Sequence, residues 1–366
     1  MSGPVCGYRP HMETTEFKHV LDRPGPFASV LIDVSLDAAE GEEQLTIAAK
    51  DVANTLQADG APAHTAESVS RAAGVPVSEP APQSRYILAD SDGILVNELL
   101  SERTPTVQAE WQRLPNLAAP LTAAQARVDF VLVEVDHEGG QVSTYRGNGR
   151  RATTTESTGV ENEHVHKRRE GGLAHLQYQR IVEEGWRDRA REVAELAEKH
   201  PGYELVVVAG SIESRKEVVE NLAGGQAEVI ELERSARNPD RGDQDMDDDI
   251  DAAVYSYLQE RHDALMTQAR ELLGQGQYAT SGIDDVVGVL TRGQVETLLL
   301  DWPRAREHSV RVEESHGISL PQLPDGTQVC SDLLTTALGV RTDARIVPVS
   351  ADEIGGEPVA ALLRWS

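Results

Sequence analysis

Between Arg127 and Leu222 short apolar runs follow one another with the periods of strands and helices, in an order that few folds accommodate. Phe130–Asp136 and Gln141–Tyr145 alternate apolar and polar residues around His137-Glu138-Gly139-Gly140, a hairpin turn supplied with glycines for positive φ. After a polar stretch, Val182, Trp186, Ala190, Val193 and Ala197 recur every three or four residues, the spacing of a helix with one buried stripe. Pro201-Gly202 stops it. Glu204–Ala209, ELVVVA, then reads as a buried strand and Glu213–Leu222 as a helix. A hairpin, a loop, a helix, a strand and a helix in that order predict an α/β layer structure.

The 366 residues exceed one ordinary core, and three domains are expected: an N-terminal α/β domain over 1–124, a middle domain over 125–240 and a C-terminal α/β domain over 241–366. After an unstructured start, Ala28–Val34 alternates as a strand and Ala38–Gln57 has helical spacing. Ala61–Gln83 lacks strong periodicity, and Arg85–Ala89 with Gly93–Leu99 form a hairpin around Asp90–Gly93. Pro105, Pro115 and Pro120 punctuate a connector with little regular structure. Seven aspartates lie between Asp240 and Asp251, read as a solvated linker with an acidic start to a helix over Ala252–Leu273. A calcium loop fits poorly there, since Asp248 stands where the turn glycine belongs and Val254 where a bidentate glutamate belongs. The last domain is expected as helix Ile283–Arg292, strand Val295–Leu300, a loop-rich middle, helix Cys330–Leu338, strand Ala344–Val349 and a strand near Val359–Trp365.

Asp and Glu number 61 against 34 Lys and Arg, a formal −27, which works against nucleic acid as a partner over long range. Either a high-salt cytoplasm screens that charge and rewards a carboxylate-rich surface, or genome composition sets it and polyanion binding is local. Cys6 and Cys330, at opposite ends, make neither a disulfide framework nor a zinc cluster. The start has no apolar signal core and no run approaches the roughly 18 residues of a membrane span. A cytoplasmic protein is expected.

One stretch reverses the charge. From Arg146 to Arg191 there are ten basic residues against seven acids, centred on ENEHVHKRREGGLAHLQYQR. Lys167, Arg168 and Arg169 can neutralise phosphates, with Arg146, Arg150 and Arg151 extending the strip and Arg180 on the helix beyond. Glu161, Glu163 and Glu170 interleave, so on charge alone an ordinary solvated loop is an equal reading. Gly171 and Gly172 permit close backbone approach to an RNA wall, and a helix starting at Leu173 offers free N–H groups and a positive dipole end. His164, His166 and His175 suit RNA stacking or hydrogen bonding better than zinc, because a loop without cysteine supplies no preorganised set. Tyr178 and Trp186 are read as core. No nucleophile and base share a recognisable context, so no catalytic residue, metal or cofactor is assigned.

Several segments together resemble the archaeal and eukaryotic class-I release factor and Pelota superfamily. HKRREGGLAHLQYQRIVEE is similar to that family's basic loop, Gly-Gly-Gln tripeptide and following helix, and VVVAGSIESRKEVV to its next strand-Ala-Gly-Ser-helix unit. SGIDDVVGVLTRGQVETLLLD and GGEPVAALLRWS resemble units of its third domain, and GPFASVLIDVS its bacterial-type branch, which includes the Balon ribosome-hibernation factors. The resemblance implies an RNase H-like middle domain and a ribosomal-protein-like α/β C-terminal domain. It further implies a first domain at the decoding centre, a middle domain reaching the peptidyl-transferase centre and a third domain meeting a translational GTPase, elongation factor Tu or a relative. It shifts the basic loop toward contact with ribosomal RNA.

The departures sharpen the expectation. Leu173 stands where the family's catalytic glutamine places the hydrolytic water, and leucine has no donor or acceptor for that task. The literal Gly-Gly-Gln strings at Gly139–Gln141 and Gly224–Gln226 read as a hairpin tip and a loop before the strand Glu228–Leu232, and no counterpart of the Asn-Ile-Lys-Ser codon-reading motif is present. The reading is a non-catalytic factor that occupies the ribosomal A site in hibernation or stress protection. The alternatives are a peptidyl-tRNA hydrolase using Gln177 or Gln179, and a stress protein with its fold turned to another binding task.

Overall fold

The computed structural model describes residues 14–35, 41–77, 83–101, 103–136, 139–147, 152–159, 187–200, 202–232, 243–313, 317 and 320–365. The fold is mixed α/β with several separate sheets. The chain groups into two compact units, residues 1–125 with 263–366 and residues 126–262. The expected middle domain lies within the second unit except for residue 125. The expected first domain and all but residues 241–262 of the expected third share the other unit.

In the first unit, β1 (Phe27–Asp33), β2 (Ser84–Asp90), β3 (Gly93–Leu100) and β4 (Gln108–Gln112) form an antiparallel sheet in the order β3-β2-β1-β4. The two-residue period of β1 sends Ala28, Val30 and Ile32 to one face, where α2 (Gly41–Ala58) and α3 (Ala63–Ala73) cover them with Leu45, Val52, Leu56 and Val69. Phe27, Tyr86 and Leu88 belong to the other face and share a core with Leu298 and Leu300 of β11 (Val295–Leu300) and Leu333 of α10 (Ser331–Arg341). A second sheet, in the order β10 (Ala279–Ser281), β15 (Val359–Leu363), β11, β14 (Arg345–Pro348), buries Leu299, Val347 and Ala360 against Met266 and Ala269.

Polar bonds tie the early and late segments of this unit together. Both Glu110 carboxylate oxygens accept from the Arg306 guanidinium at 2.9 Å, and Arg306 Nε lies 2.8 Å from Asp332 Oδ2. Gln322 Nε2 donates to the Leu21 carbonyl at 2.9 Å. Asp332 is 2% exposed, and burial pushes its carboxyl up to about 6 although Arg306 pulls the other way.

The second unit is a three-layer sandwich. β5 (Phe130–Val135), β6 (Gly139–Tyr145), β7 (Thr154–Gly159), β8 (Leu205–Gly210) and β9 (Glu228–Glu231) stand in the order β7-β6-β5-β8-β9. β6 is antiparallel to both neighbours, whereas β8 runs parallel to β5 and β9. This is the RNase H-like arrangement. Val131, Val133, Val206 and Val208 face α5 (residues 187–198) and α6 (Ile212–Leu222), through Ala190, Val193, Ala197 and Val218. Phe130, Leu132, Leu205 and Val207 face Ile250, Ala253, Val254 and Tyr257 of α7 (Asp243–Gln275).

Several expectations are corrected. The expected linker over the aspartates is helical from Asp243, because Met246, Ile250, Val254 and Tyr257 continue one apolar stripe and the acids occupy the favourable positive end. The start is not unstructured throughout: α1 (Thr14–Leu21) buries Phe17 and Leu21. The proline-punctuated connector contains β4 and α4 (Ala118–Gln125), and the stretch after Ala61 contains α3. The polar stretch before the basic loop contains β7, held to β6 by hydroxyl pairs between Thr144 and Thr154, 2.7 Å, and Ser143 and Thr155, 3.1 Å.

Candidate functional site

The basic segment follows Gly159, the last residue of β7, in sequence, and the described chain resumes at Arg187 in α5. Both ends lie at one corner of the sandwich. Gly159 pairs with Gly139 and Thr158 with Gly140, at the end of β6 that adjoins the C-terminal end of β5. Thr158 Oγ1 donates to Glu192 Oε2 at 3.1 Å, which fastens the end of β7 to α5.

Glycines make that corner possible. A Cβ on Gly140 would stand 2.7 Å from the Glu134 carbonyl oxygen and 2.8 Å from Val193 Cγ2, so α5 seats against the sheet only where there is no side chain. Gly210, at φ +146, admits no Cβ either, since it would meet the Val135 oxygen at 1.9 Å. The literal Gly139–Gln141 string is therefore the opening of strand β6, with its second glycine fixed by packing. Beside it, Ser211 caps α6 by accepting from Ser214 N at 3.4 Å, and buried Arg215 donates to Glu231 Oε2 at 3.1 Å and the Gly210 carbonyl at 3.3 Å.

His164, His166, Lys167, Arg168, Arg169, Gly171, Gly172, Leu173, His175 and Arg180 all lie outside the described residues, as do Arg150 and Arg151. Arg146 is described. It follows the far end of β6, two residues past Thr144, whose partner Thr154 is about 17 Å from Gly159 along β7. There its guanidinium lies 2.7 Å from Asp129 Oδ2 and 5.3 Å from the Tyr203 ring centroid. In the described part of α5, Arg187 Nε is 3.7 Å from Glu217 Oε2 and Arg191 Nη1 is 3.1 Å from Asp188 Oδ1, so these cations are engaged within the fold.

The opposite end of the sandwich holds a cleft of about 690 Å³, at the N-terminal ends of β5, β8 and β9. Val131, Val206, Leu222 and Val229 form its aliphatic walls, and Glu198, His200, Tyr203, Glu204, Gln226, Tyr257 and Arg261 its polar parts. Arg261 pairs with Glu204 and donates to the Tyr257 hydroxyl at 3.1 Å while its guanidinium lies 5.4 Å from that ring. Burial raises the Tyr257 phenol above its ordinary value, with Arg261 pulling the other way. His200 Nε2 lies 3.4 Å from Glu156 Oε1. The second literal Gly-Gly-Gln, Gly224–Gln226, is the turn between α6 and β9 at this cleft. No local motif marks it, because its residues are brought together only when the sheet forms.

Among the described residues no group of His, Cys, Asp and Glu could hold a metal ion. Nor is any described helix long and apolar enough to cross a membrane.

Residues 129–275 match the family model "Bacterial archaeo-eukaryotic release factor family 2". The uncharacterized protein Rv2629 of Mycobacterium tuberculosis H37Rv is 25% identical over 378 residues, covering 97% of each chain. Among solved structures, ribosome-bound archaeal Pelota is similar at TM-score 0.39 and 14% identity, over 96% of this chain and 93% of that one. Saccharomyces cerevisiae Dom34 is similar at TM-score 0.34 and 9% identity, over 77% and 81%. Overlaps at these scores are too weak to match the chains element by element. The family match covers the whole sandwich, the basic segment and all of α7. Over residues 129–275, this chain is similar to the bacterial family of archaeo-eukaryotic release factors.

Proposed function

We propose that this protein is a non-catalytic ribosome-binding factor of the bacterial-type, Balon-like branch, occupying the A site in hibernation or stress protection. The basic segment carrying His164, His166, Lys167, Arg168, Arg169, Gly171, Gly172, Leu173, His175 and Arg180 contacts ribosomal RNA toward the peptidyl-transferase centre. The observation that carries the reading is Leu173, which stands at the family's glutamine position with no polar atom to hold a water. Occupancy without ester hydrolysis follows. In this reading the segments 1–124, 125–240 and 241–366 serve the decoding centre, the peptidyl-transferase centre and a translational GTPase such as elongation factor Tu. The protein works in the cytoplasm without cofactor.

Support comes from the family match over residues 129–275 and from a basic segment whose two ends are fastened at one corner of an otherwise acidic fold. The test is co-sedimentation with 70S ribosomes at the salt of the native cytoplasm, beside a peptide-release assay on loaded ribosomes. Binding without release is expected, with binding lost on Lys167→Glu, Arg168→Glu and Arg169→Glu together. No co-sedimentation, or binding indifferent to these changes, overturns the reading. Release of labelled peptide that disappears in Gln177→Ala or Gln179→Ala establishes the hydrolase instead.

A further inference from the structure

We propose that the cleft at the N-terminal ends of β5, β8 and β9 binds a basic peptide segment of a protein partner, with arginine or lysine flanked by aliphatic residues. It lies at the other end of the sandwich from Gly159, and its chemistry is opposite to that of the basic segment that follows Gly159 in sequence. Its volume of about 690 Å³ is that of a ligand pocket rather than a packing defect.

Three observations fix the class of occupant. First, the cleft's charges exclude phosphate. Arg261 in its lining is already paired with Glu204, while Glu198 in the lining and Glu228, which stands between the lining residues Ala227 and Val229, pair with no cation among the described residues. Burial first, and then the charges of Glu204 and Glu228, raise the Tyr257 phenol above its ordinary value. What remains unspent is negative. Second, the tyrosines here already hold guanidinium groups, Arg261 over Tyr257 at 5.4 Å and Arg146 over Tyr203 at 5.3 Å. The same aromatic wall, backed by carboxylates, suits an incoming cation by the same attraction. Third, Val131, Val206, Leu222 and Val229 give an aliphatic floor on which the methylene stems of arginine or lysine and neighbouring apolar side chains lie while the charged heads reach the carboxylates. A small amine would leave that floor uncovered, and a nucleotide would bring phosphate to the carboxylates.

The probe is a fluorescein-labelled synthetic hexapeptide, Leu-Arg-Leu-Arg-Leu-Lys, titrated with the full chain by fluorescence polarisation, beside the same peptide with glutamate at the basic positions. Saturable binding of the basic peptide alone is expected. Glu198→Gln with Glu228→Gln is expected to weaken it on the order of tenfold, whereas Glu42→Gln with Glu43→Gln, the same loss of charge on exposed α2, leaves it unchanged. Ala227→Trp, which fills the cleft from its wall, is expected to abolish binding. Equal weakening by the two charge pairs means attraction by net charge alone and overturns the proposal. So does binding that survives a folded Ala227→Trp. If that variant does not fold, the two surface pairs still decide. No ribosome enters the assay, so its result is independent of A-site occupancy.

Discussion

At the scale of single residues, Gly140 and Asp332 make opposite demands. Gly140 is required by space: an added methyl group would press on a carbonyl oxygen and on Val193 at once. Gly140→Ala is expected to cost about 2 kcal/mol by urea denaturation, the usual cost of overpacking a core. Gly210→Ala adds a disfavoured backbone conformation to a closer clash and is expected to cost more. Asp332 is a matter of solvation. Its carboxyl titrates near 6 in the fold against an ordinary 3.8, so the folded state holds the proton more tightly than the unfolded chain. The penalty is absent below about pH 4, grows as pH rises to about 6 and stays constant above, amounting to roughly 3 kcal/mol at most. The stability of the native protein relative to Asp332→Asn is therefore expected to fall across that window, as measured by thermal unfolding at stepped pH. Neither role is legible in the sequence. Gly140 looks there like a hairpin tip or a piece of a catalytic tripeptide, and Asp332 like any first-turn aspartate; only the packing of α5 and the arrival of Arg306 separate them from those readings.

At the scale of elements, legibility followed the size of the buried side chains. β5, β8 and β11 were readable because valine and leucine announce a strand between two layers, and α5 because Val193 and its partners keep helical spacing. α3 was missed because its buried stripe is Thr65, Ala66, Val69 and Ala73, small residues that barely raise the periodic signal. β7 was missed because it is TTESTG, a strand held by hydroxyl pairs and ladder bonds without an apolar face. α7 was shortened because seven aspartates conceal Met246 and Ile250. The corrected start can be checked: Ile250→Ala is expected to destabilise by about 2 kcal/mol, where a solvated linker would register nothing. Ser211→Ala, which removes the cap of α6, is expected to cost about 1 kcal/mol. Both are read from chemical denaturation midpoints. The candidate binding residues were chosen on charge, glycine and resemblance, and they fall in the segment between β7 and α5, outside the described residues.

At the scale of the whole molecule, sequence order and compactness part company. The expectation of successive domains treats residues 1–124 and 241–366 as separate, yet Phe27, Tyr86, Leu88 and Leu114 share their core with Leu298, Leu333 and Leu334. A face of that composition left in water is an aggregation hazard. Residues 1–125 produced alone are therefore expected to bind a hydrophobic dye and to lack a cooperative melting transition, and adding residues 263–366 as a second chain is expected to abolish dye binding and to restore cooperative melting. Nothing local announces such a partnership, because complementary faces carry no mark of which one they meet.

The fastening of Thr158 to Glu192 has a consequence for descent. A segment between two joined points adds little to the closure entropy when it lengthens, so the 27 residues from 160 to 186 can change in number and content while the described strands of the sandwich keep their register. Related chains are then expected to agree best in β5, β8 and α5 and to differ most in this stretch. One lineage can retain a hydrolytic tripeptide there and another replace it, with no compensating change in the scaffold.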